Sequence, residues 1–182
     1  KAYLQHVSGA LFGSFGLRPA LGRLLSPADD QRPGAHPLAV LSHDYWTRRF
    51  AADPSVLGRK VRIGETFYQI IGVVQAPFTG TEPGTMTDIF VPTMMHPFAV
   101  KDDATWHRIL VRVPPGVAIE PLRAKLDAVF RAFEENRARG FSGMSKADLA
   151  RFLSPKFVLD HAPSGASRMQ SEFRPALLAL AI

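Results

Sequence analysis

The chain has 182 residues and a mass of 20.0 kDa, with 46% hydrophobic residues, 21% charged residues and a mean hydropathy of zero, a globular composition with enough length for a buried core. It contains no cysteine, which excludes disulfides, zinc–thiolate and iron–sulfur centres and cysteine nucleophiles, and no apolar run of the ~18 residues a membrane-spanning helix needs. The net charge of +6 raises nucleic acid or anionic lipid as a partner, but residues 1–91 carry nine bases against seven acids and residues 92–182 thirteen against nine, with no basic run longer than a pair; this dispersion predicts solvated surface charge and no nucleic-acid partner.

In chain order, Lys1 to Val7 reads as a short strand, with no basic and apolar leader pattern behind it, so no signal peptide is expected. Leu11, Phe12 and Phe15 then recur at helical spacing before Gly16, which predicts a helix of about two turns. Leu17–Asp30, with Pro19, Gly22 and Pro27, reads as an irregular connection. Pro37–Leu41 is an apolar run of strand length, and Ser42 stands as the cap of a helix over residues 43–52, whose Trp46 and Phe50 share one face with Tyr45 beside them. Asp53–Pro54 ends that helix.

From Lys60 the period changes to two. Val61 and Ile63 alternate with Arg62, Gly64–Glu65 signals a tight turn, and Thr66–Val74 is rich in aromatic and β-branched residues, which together predict a hairpin. Residues 77–87 read as a loop and Asp88–Pro92 as a strand. His107–Val113, with Ile109, Val111 and Val113 alternating with Arg108 and Arg112, reads as a further strand. Ile119, Leu122, Leu126, Val129, Phe130 and Phe133 mark a long helix that Gly140 closes, with solvated i, i+4 pairs Asp127–Arg131 and Glu135–Arg139. Ser145–Leu153 reads as a short helix capped by Ser145, Lys156–Leu159 as a strand, and Ser171–Ile182 as an apolar tail, either the beginning of something longer or an amphipathic terminal helix docked on the core.

No chemistry-bearing pattern emerges. The Walker string is absent, and Gly9, Gly13 and Gly16 do not have dinucleotide-loop spacing. His6, His36, His43, His96, His107 and His161 include no pair three or four apart, as a helical metal pair would need. The nucleophile elbow G-x-S-x-G does not occur. Asp29–Asp30, Asp102–Asp103 and Glu134–Glu135 are contiguous and read as solvated acids, and the aromatic residues Phe12, Phe15, Tyr45, Trp46, Phe50, Phe67, Tyr68 and Phe90 mostly as core. Met94–Met95, between prolines, is the one weak pointer to a binding surface. Catalytic residues, metals and cofactors are therefore expected to be none.

The order of motifs carries more. Val7-Ser8-Gly9 with Phe12, Gly22-Arg23, Leu38–Ser42 with Trp46 and Phe50, Asp53-Pro54-Ser55-Val56-Leu57-Gly58-Arg59, and Tyr68–Val74 with Gly72 together resemble the periplasmic core domain of MacB-type ABC transporter permeases, strongly over about residues 7–95. The resemblance implies an α+β, two-lobed extracytoplasmic domain: residues 1–97 one lobe, 98–170 a partial lobe near the membrane, and 171–182 the start of a stalk or transmembrane helix. The first half of the partial lobe would precede Val7, where this chain has six residues. Also implied are a place on the periplasmic side of the inner membrane, a permease dimer partner, a cytoplasmic ABC ATPase, a periplasmic adaptor and an exported substrate of unknown kind, with force transmission in place of catalysis. The motif residues Val7, Ser8, Gly9, Phe12, Gly22, Arg23, Trp46, Phe50, Gly58 and Gly72 are then structural. A stand-alone ligand- or lipid-binding α+β module is the alternative, and a small metal-dependent enzyme rests only on the scattered histidines.

Overall fold

A computed structural model describes residues 2–101, 108–155, 157–159 and 162. The described residues up to Lys101 form one compact unit and those from 108 to 159 a second. The fold is mixed α+β.

The first unit is built on a six-stranded mixed sheet of β1 (Leu4–Val7), β2 (Pro19–Gly22), β3 (Leu38–Leu41), β4 (Lys60–Ile63), β5 (Thr66–Val74) and β6 (Ile89–Pro92), in the order β1-β6-β3-β5-β2, with β4 also on β5. β1 runs parallel to β6 with Leu4 opposite Ile89, and β3 runs parallel to β5. β4 and β5 form the hairpin expected from the alternation, with Ile63 opposite Thr66 across the Gly64–Glu65 turn. The sheet is buried on both faces, so its inner strands read as continuous apolar runs. Ala39, Leu41, Tyr68, Ile70, Val73, Ile89 and Val91 fill one face, where Tyr45, Trp46 and Phe50 of α2 (His43–Phe50) pack. Val7, Phe12, Leu25, Val40, Val74 and Phe90 fill the other, beside the short helix α1 (Leu11–Ser14).

Several expectations change. Leu17–Asp30 is not an irregular connection throughout, because Pro19–Gly22 is strand β2, antiparallel to β5 with a register shift between Pro19 and Leu21. Proline is tolerated there as the first residue of an edge strand, where its missing N–H breaks no ladder. α1 is one turn long, and of its expected apolar face only Phe12 is buried; Phe15 is 49% exposed, as is the hairpin residue Phe67 at 58%. α2 begins at Ser42, whose Oγ accepts the Tyr45 N–H at 3.3 Å, and ends in two left-handed alanines, Ala51 and Ala52.

In the second unit, α3 (Ile119–Arg139) and α4 (Lys146–Phe152) form as read, with the Ser145 Oγ accepting the Asp148 N–H at 3.1 Å. The strands do not: neither Arg108–Val113 nor Phe157–Leu159 joins a ladder, and Ile109 is 79% exposed. Alternation selects a face, but a strand exists only against a partner, and among the described residues of this unit there is none. Asp127 pairs with Arg131 at 2.8 Å as expected. Glu134, far from being a solvated acid, is largely buried and bonds Arg137 at 2.9 Å, while Arg137 lies against the rings of Phe133 and Phe152. The apolar tail, residues 171–182, lies outside the described residues.

Candidate functional site

The motif residues fall into two groups. Around the turn that follows β1, Val7 is buried opposite Pro92, the Ser8 carbonyl accepts the Leu11 N–H at 2.9 Å, and the Gly9 N–H donates to Asp30 Oδ2 at 3.0 Å. A Cβ on Gly9 would strike the Ser26 carbonyl. Phe12 sits edge-on to Phe90 and Phe78, with ring centroids 5.5 and 6.2 Å away. Gly22 and Gly72 face each other across the β2–β5 ladder. Gly22 has φ +65°, and a Cβ on Gly72 would occupy the space of the Arg23 carbonyl, so both positions exclude a side chain. The Arg23 guanidinium grips Asp29 in two parallel bonds of 2.7 and 2.9 Å, a bidentate geometry stronger than a single ion pair.

The second group lies on the α2 face. Trp46 packs on the core and its indole N–H donates to the Asp53 carbonyl at 2.9 Å. Phe50 packs beside it, edge-on to Tyr45. The Gly58 N–H donates to the Ile70 carbonyl at 2.8 Å, which fastens the turn before β4 to β5. Neither group gathers acids, bases and nucleophiles into one space; both are turn closures and close backbone packing.

The polar residues that do tie distant segments together escaped the sequence reading. Asp29 and Asp30 are not solvated acids. Asp29 is buried, and its bonds to Arg23, with further help from Ser26, hold its carboxyl down to about 2. Asp30 accepts the N–H of Gly9 and, at 2.7 Å, that of Met94. Asp88 is buried with one oxygen on the Tyr3 N–H at 2.9 Å and the other on the Arg48 guanidinium at 2.8 Å. Three of these contacts bridge more than 39 residues of chain, which no local pattern announces. The available signal was an acid placed next to a strand or turn that reads as buried.

His6 on β1 and His96 meet edge to face at 4.7 Å. Burial, and then the neighbouring imidazole, lower His6 to about 4, and burial also lowers His96. His96 Nδ1 accepts the Phe98 N–H at 3.1 Å, which commits that nitrogen to the backbone. No cluster of three or more histidines, aspartates or glutamates suited to a metal occurs among the described residues. In the second unit, Phe130, Glu134, Phe152 and Leu153 line a cleft of about 80 Å3, well below the ~300 Å3 at which small-molecule pockets begin.

The geometry is thus that of a stiff sheet unit with reinforced turns, and comparison with known proteins gives it a context. The periplasmic region of MacB from Actinobacillus actinomycetemcomitans is similar over 72% of this chain and 56% of that one, at 20% identity and a TM-score of 0.51. A domain described as part of a permease, from Porphyromonas gingivalis, matches 74% of this chain and 58% of its own at 20% identity and a TM-score of 0.46. The chain therefore spans little more than half the length of either. No curated protein matches. The first likeness is one of fold; the sequence profile of the MacB-like periplasmic core domain matches residues 2–129, the whole sheet unit and half of α3, and on that match the chain belongs to the MacB-like periplasmic core domain family.

Proposed function

We propose that this chain is the extracytoplasmic domain of an ABC transporter permease, exposed on the periplasmic side of the inner membrane. It has no catalysis of its own in this reading: it handles an exported substrate or partner protein and passes on movement driven by a cytoplasmic ATPase. The observation that carries the proposal is the family match across residues 2–129. The physical character of the first unit supports it, since a body that transmits displacement must not deform, and here the turns are closed by buried carboxylates and the strands by side-chain-free contacts. Within this reading residues 1–97 are the inserted lobe, 98–170 a partial lobe nearer the membrane and 171–182 the beginning of a stalk helix. The partners are a second permease copy, the ATPase and a periplasmic adaptor, and the ten motif residues serve the fold.

Two measurements test this. In intact cells expressing the parent protein with Glu65→Cys, at the exposed hairpin turn, a membrane-impermeant thiol reagent should label the domain; labelling only after lysis would overturn the periplasmic placement. The purified chain should turn over no ATP above buffer, and turnover that co-purifies with it would overturn the non-catalytic reading.

A further inference from the structure

Among the described residues β1 is an edge strand, with four residues of ladder to a single neighbour, β6. Such a strand has little to hold it, yet both its ends are fastened to side chains from elsewhere. At its far end, Asp30 bonds the N–H of Gly9 with one oxygen and that of Met94 with the other, joining the chain just after β1 to the chain just after β6. At its near end, Asp88 accepts the Tyr3 N–H through Oδ2 and the Arg48 guanidinium of α2 through Oδ1. The Asp88 backbone repeats the connection, its N–H donating to the Tyr3 carbonyl and its carbonyl accepting the Ser42 N–H, at the cap of α2, both at 2.9 Å. Side chain and main chain of one residue thus hold the start of β1 and the first two turns of α2.

We infer that Asp88 makes the attachment of β1 and the seating of α2 one energetic unit. The Asp88 side chain is 6% exposed, so its carboxylate has little water to fall back on. Loss of either partner leaves the carboxylate less well satisfied and less well oriented for the other. Arg48 is 61% exposed, and an exposed arginine on a surface pair ordinarily contributes little; here it also steadies the carboxylate that receives β1. The coupling is reciprocal, as any coupling free energy must be: pulling β1 away loosens α2, and displacing α2 frees β1. The device gives the mechanical reading above a concrete joint, and its use in transport rests on that reading, whereas the coupling itself does not.

Hydrogen–deuterium exchange on the full chain tests it. Arg48→Ala should raise exchange of the amides of residues 3–5 about tenfold, the effect of weakening one charge-assisted hydrogen bond, and leave the Gly9 end unchanged; Asp30→Asn should do the opposite. Tyr3→Pro, which deletes the N–H donor at an exposed position, should raise exchange in the first two turns of α2 by a similar factor. If Arg48→Ala leaves residues 3–5 unchanged, or Tyr3→Pro leaves α2 unchanged, the inference fails. Both substitutions are at exposed side chains, so the outcome does not depend on Asp88→Asn folding. If the exchange factors move as stated while the parent permease carrying Arg48→Ala exports normally, the coupling stands and its mechanical use falls.

Discussion

Burial and a second imidazole set His6 at about 4, against an ordinary value of 6.5, and this fixes a direction for stability. Between about pH 6.5 and 4 the unfolded chain holds a proton that the native His6 refuses, so acidification through that window favours unfolding. His96, lowered by burial, adds to the same window. Asp29 acts in the next one: its folded value of about 2 lies below the ordinary 3.8, so its contribution is whole above about pH 4 and disappears as the pH falls towards 2. Urea midpoints should therefore fall from pH 7 to 5 and again from 5 to 3. His6→Gln should flatten mainly the first step. Asp29→Asn should cost most at pH 7 and converge on the parent near pH 2; a deficit that is the same at every pH would show that the carboxylate charge is not what stabilises the turn. The glycines give a second residue-scale contrast. Gly72→Ala places a methyl group against the Arg23 backbone and should cost about 1–3 kcal/mol, whereas Gly13→Ala, inside α1 with open space around it, should raise the melting temperature by removing helix-disfavouring freedom worth about 0.4–1 kcal/mol. Equal effects at the two positions would refute the close-approach argument.

Among elements, α2 shows what a sequence states openly. Ser42, Trp46 and Phe50 give its cap and its face from local chemistry alone, and the structure follows them, although the helix stops at Phe50, two residues before the end that Asp53–Pro54 predicts. Ser42→Ala should lose about 1 kcal/mol, read as a lower urea midpoint; no change would mean that the cap contributes nothing beyond the backbone hydrogen bond from the Ser42 N–H to the Asp88 carbonyl. The β4–β5 hairpin was legible for the same reason, since alternation and turn lie within one window. β2 was not, because Pro19 and Gly22 are breakers by local rule and become a strand only through β5, some 50 residues on. The opposite error, at Arg108–Val113, has the same origin: the pattern is that of a strand, but pairing is decided elsewhere in space. Asp30 and Asp88 were unreadable as ties because their partners at Met94, Tyr3 and Arg48 are far away in sequence. Local rules therefore located most of the core-facing residues of the sheet unit, Phe15 and Phe67 excepted, and missed the polar contacts that fasten one segment to another.

At the scale of the whole molecule, composition set only exclusions, and the functional context came from the order of motifs, which the family match over residues 2–129 confirms as a family. No described helix is long and apolar enough to cross a membrane. The sheet unit, drawn from little more than the first half of the chain, is held by non-local pairing, and one such pair has a consequence in time. β1 meets β6 through contacts such as that of Tyr3 with Asp88, 85 residues later. At about 5–20 residues per second, a ribosome takes roughly 4 to 17 s to make the partner after β1 has been synthesised. Throughout that interval Leu4–Val7 lacks its ladder partner. In refolding, too, the entropy of closing so long a loop places this ladder late, and pulse-labelling should find the β4–β5 amides protected before those of β1. Of the six strands of this sheet, the earliest in sequence is thus protected late, because its partner is among the last of them to be made.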